Sequence, residues 1–80
     1  MIRQEIVQIV ADIAEIPPEE VSHEAMLADL DVDSLRGLRI VAEVEKRFRV
    51  VIGEDEIGRI RSMPDIFALV ESRAAEGPEP

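Results

Sequence analysis

Asp33-Ser34-Leu35-Arg36-Gly37-Leu38-Arg39-Ile40-Val41-Ala42-Glu43-Val44-Glu45-Lys46-Arg47-Phe48-Arg49 is the stretch that decides how this chain folds. Asp33 suits the position before a helix, because a short carboxylate accepts from the unpaired backbone N–H groups of a first turn. On a wheel of about 100° per residue, Gly37, Ile40, Val41, Val44 and Phe48 gather on one side. That side is the core face of a helix over 34–48. Leu35, Leu38 and Ala42 fall on a different side, close to Ser34. Single exposed apolar residues are common, and Leu35 has a second reading as a side chain packed under the preceding loop. Apolar residues around a helix-initial serine also read as a contact surface for a partner. Gly37 costs a helix interior roughly 1 kcal/mol against alanine. Its place on the core face predicts close approach of a neighbouring helix or loop.

N-terminal to this helix, Ile2, Ile6, Ile9, Val10 and Ile13 recur at helical spacing and predict an amphipathic helix over 2–15. Pro17 and Pro18 stop it, since the residue before a proline avoids the helical region. Residues 16–33 form a long connection holding Val21, Leu27 and Leu30. Such a loop in a small domain is tied down by its apolar residues or serves a function. After the central helix, Glu54–Ile60 reads as a short third helix. Ser62 and Asp65 have capping-box spacing, with Asp in place of the usual Glu. Pro64 is tolerated in a first turn, and Ile66, Phe67, Leu69 and Val70 predict a last helix to about residue 74. Val50-Val51-Ile52 is a β-branched run with nothing to pair with. The fold class is therefore all-α. We expect a small four-helix bundle over residues 1–75, with a long first loop and a short third helix. Glu76-Gly77-Pro78-Glu79-Pro80 reads as a disordered tail.

Eighty residues make one domain with a modest core and no room for a deep catalytic cleft. With no cysteine, neither a disulfide nor a thiolate metal site is available. Arg3, Glu5 and Asp12 interrupt the N-terminal apolar residues, which argues against a signal peptide. No stretch approaches the length of a bilayer span, and a cytoplasmic location is the default. The net charge of −9 argues against nucleic acid as a partner. That charge is uneven. Residues 1–33 carry one basic and nine acidic side chains, residues 34–49 five basic and two acidic, and residues 50–80 three basic and seven acidic. Asp29, Asp31 and Asp33 alternate like the start of a calcium loop. The pattern then fails, because Ser34 stands where the glycine belongs and Ile40 where the bidentate glutamate belongs. His23 is the only histidine, so it reads as a surface residue rather than a metal ligand or catalytic base. No metal site and no enzymatic activity are expected.

Ser34 has one ordinary reading, as a second capping residue after Asp33. Its position also suits a phosphodiester, since a phosphate there would sit at the positive end of the helix dipole near unpaired N–H groups. Leu30-Asp31-Val32-Asp33-Ser34-Leu35 resembles the signature of the acyl carrier protein family, centred on Asp-Ser-Leu at the start of the second helix. The resemblance covers nearly the whole chain. It includes Val21 and Leu27-Ala28-Asp29-Leu30 in the first loop, Glu45-Lys46-Arg47-Phe48 at the end of the second helix, and Ile60-Arg61-Ser62-Met63-Pro64-Asp65 leading into the last.

That resemblance implies that Ser34 carries 4′-phosphopantetheine, transferred from coenzyme A by a separate Mg²⁺-dependent phosphopantetheinyl transferase, with Asp33 assisting the modification. The arm's thiol would hold acyl groups as thioesters for acyl-loading and acyl-processing synthases of fatty acid, polyketide or other specialised acyl biosynthesis. Leu35, Arg36, Leu38, Arg39 and Ala42 would form the partner surface of a monomeric carrier. Alternatives are an aminoacyl or peptidyl carrier of a nonribosomal pathway, or a helical interaction domain that is never modified.

The sequence departs from this pattern in two places. Carriers of fatty acid synthesis usually show acidic residues along the second helix, where this chain has Arg36 and Arg39, with Lys46, Arg47 and Arg49 beyond. A pair such as Arg39 with Glu43, one turn apart, would absorb part of that charge but not explain its sign. The departure favours a dedicated carrier over a housekeeping role. Asp31 replaces the glycine common before Asp-Ser, which predicts a stiffer loop.

Overall fold

The computed structural model describes residues 2–75. The chain forms α1 (Ile2–Ala14), α2 (Ser34–Phe48), a single-turn α3 (Glu54–Ile57) and α4 (Met63–Ala75). Two 3-10 turns, Pro18–Glu20 and Leu27–Leu30, punctuate the long first loop. No strand forms among the described residues. The all-α bundle with a long first loop and short third helix is as the sequence pattern predicts. The proposed tail over 76–80 lies outside the described residues.

α1 packs against α2 and α4. Its buried face is Ile6, Val7, Ile9, Val10, Ala11 and Ala14, while Ile2 and Ile13 are only half-buried at its edges. The face is rotated from the pattern of isoleucines toward Val7, Ala11 and Ala14. α2 contributes Ile40, Val41 and Val44 to the core, and α4 contributes Met63, Ile66, Phe67 and Val70. Phe48, assigned to the core from the wheel, is half-buried at its margin. The fully packed aromatic is Phe67, 2% exposed. It sits beneath the Arg3 guanidinium, 5.0 Å from the ring centroid, with His23 edge-on at 5.4 Å. Arg3 also donates to both carboxylate oxygens of Glu71, at 2.6 and 3.1 Å, which joins α1 to α4.

α1 and α2 end in the same way, without glycine. Glu15 and Arg49 adopt left-handed φ values of 63° and 57°. The following N–H groups then reach back, Ile16 to the Ala11 carbonyl at 3.0 Å and Val50 to that of Glu45 at 3.2 Å. At the end of α2 the Glu45 carbonyl accepts from the Arg49 N–H as well, and the left-handed residue folds the chain back over the helix end. α1 thus closes at Ala14, before the prolines act. Asp31 is left-handed as well, at φ 60°. A glycine would adopt that conformation freely, and aspartate is among the few other residues that tolerate it.

The first loop is fixed where its second turn begins. The Leu27 N–H donates to the Arg61 carbonyl and the Met63 N–H to the Ala25 carbonyl, each at 2.9 Å. Val21, Leu27 and Val32 are buried. At the start of α4, the Ser62 hydroxyl accepts from the Asp65 N–H at 3.3 Å. The reciprocal bond of a capping box goes one residue further back, since the Asp65 carboxylate accepts from the Arg61 N–H at 2.9 Å. Val50-Val51-Ile52 runs as loop, with Ile52 buried and its N–H donating to the Glu45 carboxylate at 2.8 Å.

Candidate functional site

Asp33 turns the chain into α2 from an extended conformation, φ −84° and ψ −175°. Its Oδ1 accepts from the Arg36 N–H at 2.8 Å, and its carbonyl accepts from the Gly37 N–H at 2.8 Å. Asp33 therefore caps α2 without the Ser34 hydroxyl. The Ser34 side chain is exposed and its hydroxyl makes no hydrogen bond within the protein. The N–H groups of Ser34 and Leu35 are likewise without protein acceptors. Ser34 thus presents a free hydroxyl before unpaired donors at the positive end of a 15-residue helix. A phosphodiester on that oxygen fits this setting, since the anion would meet both the dipole and the donors.

The surface around Ser34 is apolar and basic. Leu35 is 69% and Leu38 51% exposed, and Ala42 and Arg39 are exposed with them. Arg36 is half-buried. Among the described residues no carboxylate lies within 4.0 Å of Arg36 or Arg39, so the one-turn pair of Arg39 with Glu43 does not form. The positive charge of this face is left without a local partner.

Beside Ser34 an open groove of about 530 Å³ runs between α2 and the segment from α3 to Arg61. Val32, Ile40 and Val41 line one side and Ile57, Gly58 and Ile60 the other, with Asp33 and Ser34 at its mouth. Gly37 lines it too. A β-carbon built there meets no atom within 4 Å, so the close approach anticipated for Gly37 is absent. The glycine borders open space instead.

α3 is the thin wall of this groove. It buries no residue, and the third helix is shorter than the Glu54–Ile60 expected from sequence. Burying one Ile or Val side chain stabilises by about 1.5–3 kcal/mol, so α3 depends on its polar contacts far more than α2 does. Glu56 supplies them. Its Oε1 accepts from the Gly53 N–H at 3.0 Å, and its Oε2 pairs with Arg73 of α4. The Gly53 N–H, then Arg73, hold the Glu56 carboxyl below its usual pKa. Arg3 does the same to Glu71. A carboxylate with a depressed folded pKa contributes stability above its unfolded value, about 4.3, and loses it as pH falls through the folded value. Thermal unfolding should therefore show Glu56→Gln melting below wild type at pH 7. The gap should close below about pH 4 as the wild-type carboxylate is protonated. An unchanged gap across that range would show that Glu56 acts by shape and not by charge.

Asp33, Ser34, Leu35, Leu38, Arg39 and Ala42 thus share the exposed start of α2. His23 is elsewhere, against Phe67. Asp29, Asp31 and Asp33 form no group able to hold a metal among the described residues. No helix among them is long and apolar enough to cross a membrane. The far wall of the groove escaped the sequence reading. Its one available signal was Ile57 and Ile60, apolar residues in and just after a helix too short to need a core face of its own.

Residues 4–69 match the family model described as the phosphopantetheine attachment site. The chain is 34% identical over 73 residues to polyketide-8 synthase acyl carrier protein 1 of Streptomyces avermitilis, covering 90% of this chain and 87% of that one. It is also 34% identical over 67 residues to the non-reducing polyketide synthase sorB of Penicillium rubens, covering 84% of this chain but only 2% of that much longer protein. A solved acyl carrier protein from Thermotoga maritima superposes with a TM-score of 0.79 at 26% identity, over 90% of this chain and 85% of that one. The family model spans most of the chain, and a relative of similar length shares a third of its residues. The chain belongs to the phosphopantetheine-attachment family and is an acyl carrier protein, whose cofactor is covalently held 4′-phosphopantetheine.

Proposed function

We propose that Ser34 is the attachment residue and that the acyl chain on its arm shelters in the groove between α2 and α3. The observation that carries this is the free Ser34 hydroxyl in front of unpaired N–H groups, at the mouth of the groove. A phosphopantetheinyl transferase joins the Ser34 oxygen to the β-phosphorus of coenzyme A. The hydroxyl proton is lost and adenosine 3′,5′-bisphosphate leaves. Asp33 assists through its Oδ2, because Oδ1 is committed to the Arg36 N–H. The chain catalyses nothing itself and works as a cytoplasmic monomer. Incubation with coenzyme A, Mg²⁺ and a broad-specificity transferase should add one arm. Intact-mass and peptide mass spectrometry should place it on Ser34, and an arm on any other residue would refute the assignment.

The partner surface is Leu35, Arg36, Leu38, Arg39 and Ala42. The two arginines lack local carboxylates, so a partner with acidic residues around an apolar docking patch complements them, while a basic partner is repelled. This supports a dedicated carrier for a polyketide or other specialised acyl chain, in keeping with the polyketide association of two relatives. The holo protein should be a poor acceptor for a malonyl transferase of fatty acid synthesis. Arg36→Glu with Arg39→Glu should speed that transfer by about tenfold at low salt, with the gain shrinking as salt rises. Transfer kinetics at two salt concentrations decide. Equal rates for wild type and double variant at low salt would mean the basic face is only a solvated one.

A further inference from the structure

The groove beside Ser34 contains a position that the stability of α2 does not explain. Gly37 is inside α2, where glycine is less favourable than alanine. Its backbone is not left-handed, so no conformational need calls for glycine. No neighbour comes within 4 Å of where its β-carbon would be, so no packing need calls for it either. What Gly37 does border is the groove. It lies three residues after Ser34, about 4.5 Å along the axis and on nearly the same side of the helix. The missing side chain widens the groove next to its mouth, between Val32 and Val41 on one wall and Ile57 on the other.

We infer that Gly37 determines cargo bulk, admitting an acyl group with a ring or branch close to its thioester. The inference rests on Ser34 as the attachment residue. A straight chain can thread a narrower slot and gains little from the notch. A branched or cyclic group needs the width where Gly37 provides it. A side chain at this position would project into the groove, because nothing else occupies that space. The apolar walls favour a hydrocarbon group, since burying each methylene contributes about 0.8 kcal/mol, close to fourfold in population.

The test loads the full chain from phenylacetyl-coenzyme A or hexanoyl-coenzyme A with a broad-specificity transferase, in wild type, Gly37→Ala and Gly37→Leu. Both substitutions favour helix, so folding is preserved, and circular dichroism melting verifies it. The readout is the rate at which hydroxylamine cleaves each thioester, compared with the same thioester on free pantetheine. Wild type should protect the phenylacetyl group. Gly37→Leu should lose that protection by about fourfold for each methylene equivalent displaced, with Gly37→Ala intermediate and the hexanoyl thioester less affected. Full mass gain with equal phenylacetyl rates in wild type and Gly37→Leu overturns this inference alone. So does full mass gain with no protection in wild type. Absence of any mass gain overturns the Ser34 assignment, and this inference with it.

Discussion

Ser34→Ala is expected to abolish loading completely while leaving the melting temperature of the apo protein unchanged. The transferase needs an oxygen nucleophile, and alanine offers none. The fold does not need that oxygen, because Asp33 caps α2 through its own carboxylate and the Ser34 hydroxyl bonds to nothing in the protein. Asp33→Ala makes the informative contrast. Losing a capping carboxylate costs about 1 kcal/mol, which lowers the melting temperature of a domain this size by roughly 4–8 °C. Asp33→Ala should thus weaken the fold and slow loading, whereas Ser34→Ala should only block loading. Calorimetry beside intact-mass spectrometry separates the two. A melting temperature for Ser34→Ala that falls as far as that of Asp33→Ala would show Ser34 to be a structural cap and remove the main support for its role.

Phe67→Ala should destabilise the protein by about 3–5 kcal/mol. A domain of this length has roughly 4–12 kcal/mol in total, so this one change removes a large fraction of the stability. The residue is only 2% exposed and supports more than the core. Arg3 lies over its face and His23 meets it in a T-shaped contact, so α1 and the first loop both lose a contact surface with it. Phe48→Ala should cost distinctly less, because that ring is half-buried at the end of α2 and solvent already covers part of it. Urea unfolding of both variants gives the comparison. Equal midpoint shifts would mean that Phe48 carries as much of the core as Phe67.

The helices and the cap of α2 were legible from local residues alone. Apolar spacing marks α1, α2 and α4, because a helix must bury one face and that face repeats every three to four residues. Asp33 as a cap with Ser34 beside it is an equally local fact, whereas the exposure of Leu35 and Leu38 depended on where the preceding loop lies. The comparisons placed the chain in the family that this motif resembles. Features that depend on two elements meeting emerge only from the packing. Which phenylalanine is buried depends on where α4 docks, and the wheel of α2 carries no information about that. The ends of α1 and α2 rest on left-handed Glu15 and Arg49, residues whose propensities do not mark a stop. The groove exists because α3, held by Glu56 and Arg73, stands away from Gly37. A helical wheel assigns Gly37 to the core face, yet it cannot say whether the space beyond that face is filled. Only the placement of the opposite wall settles that, and here the wall leaves a space open beside Ser34.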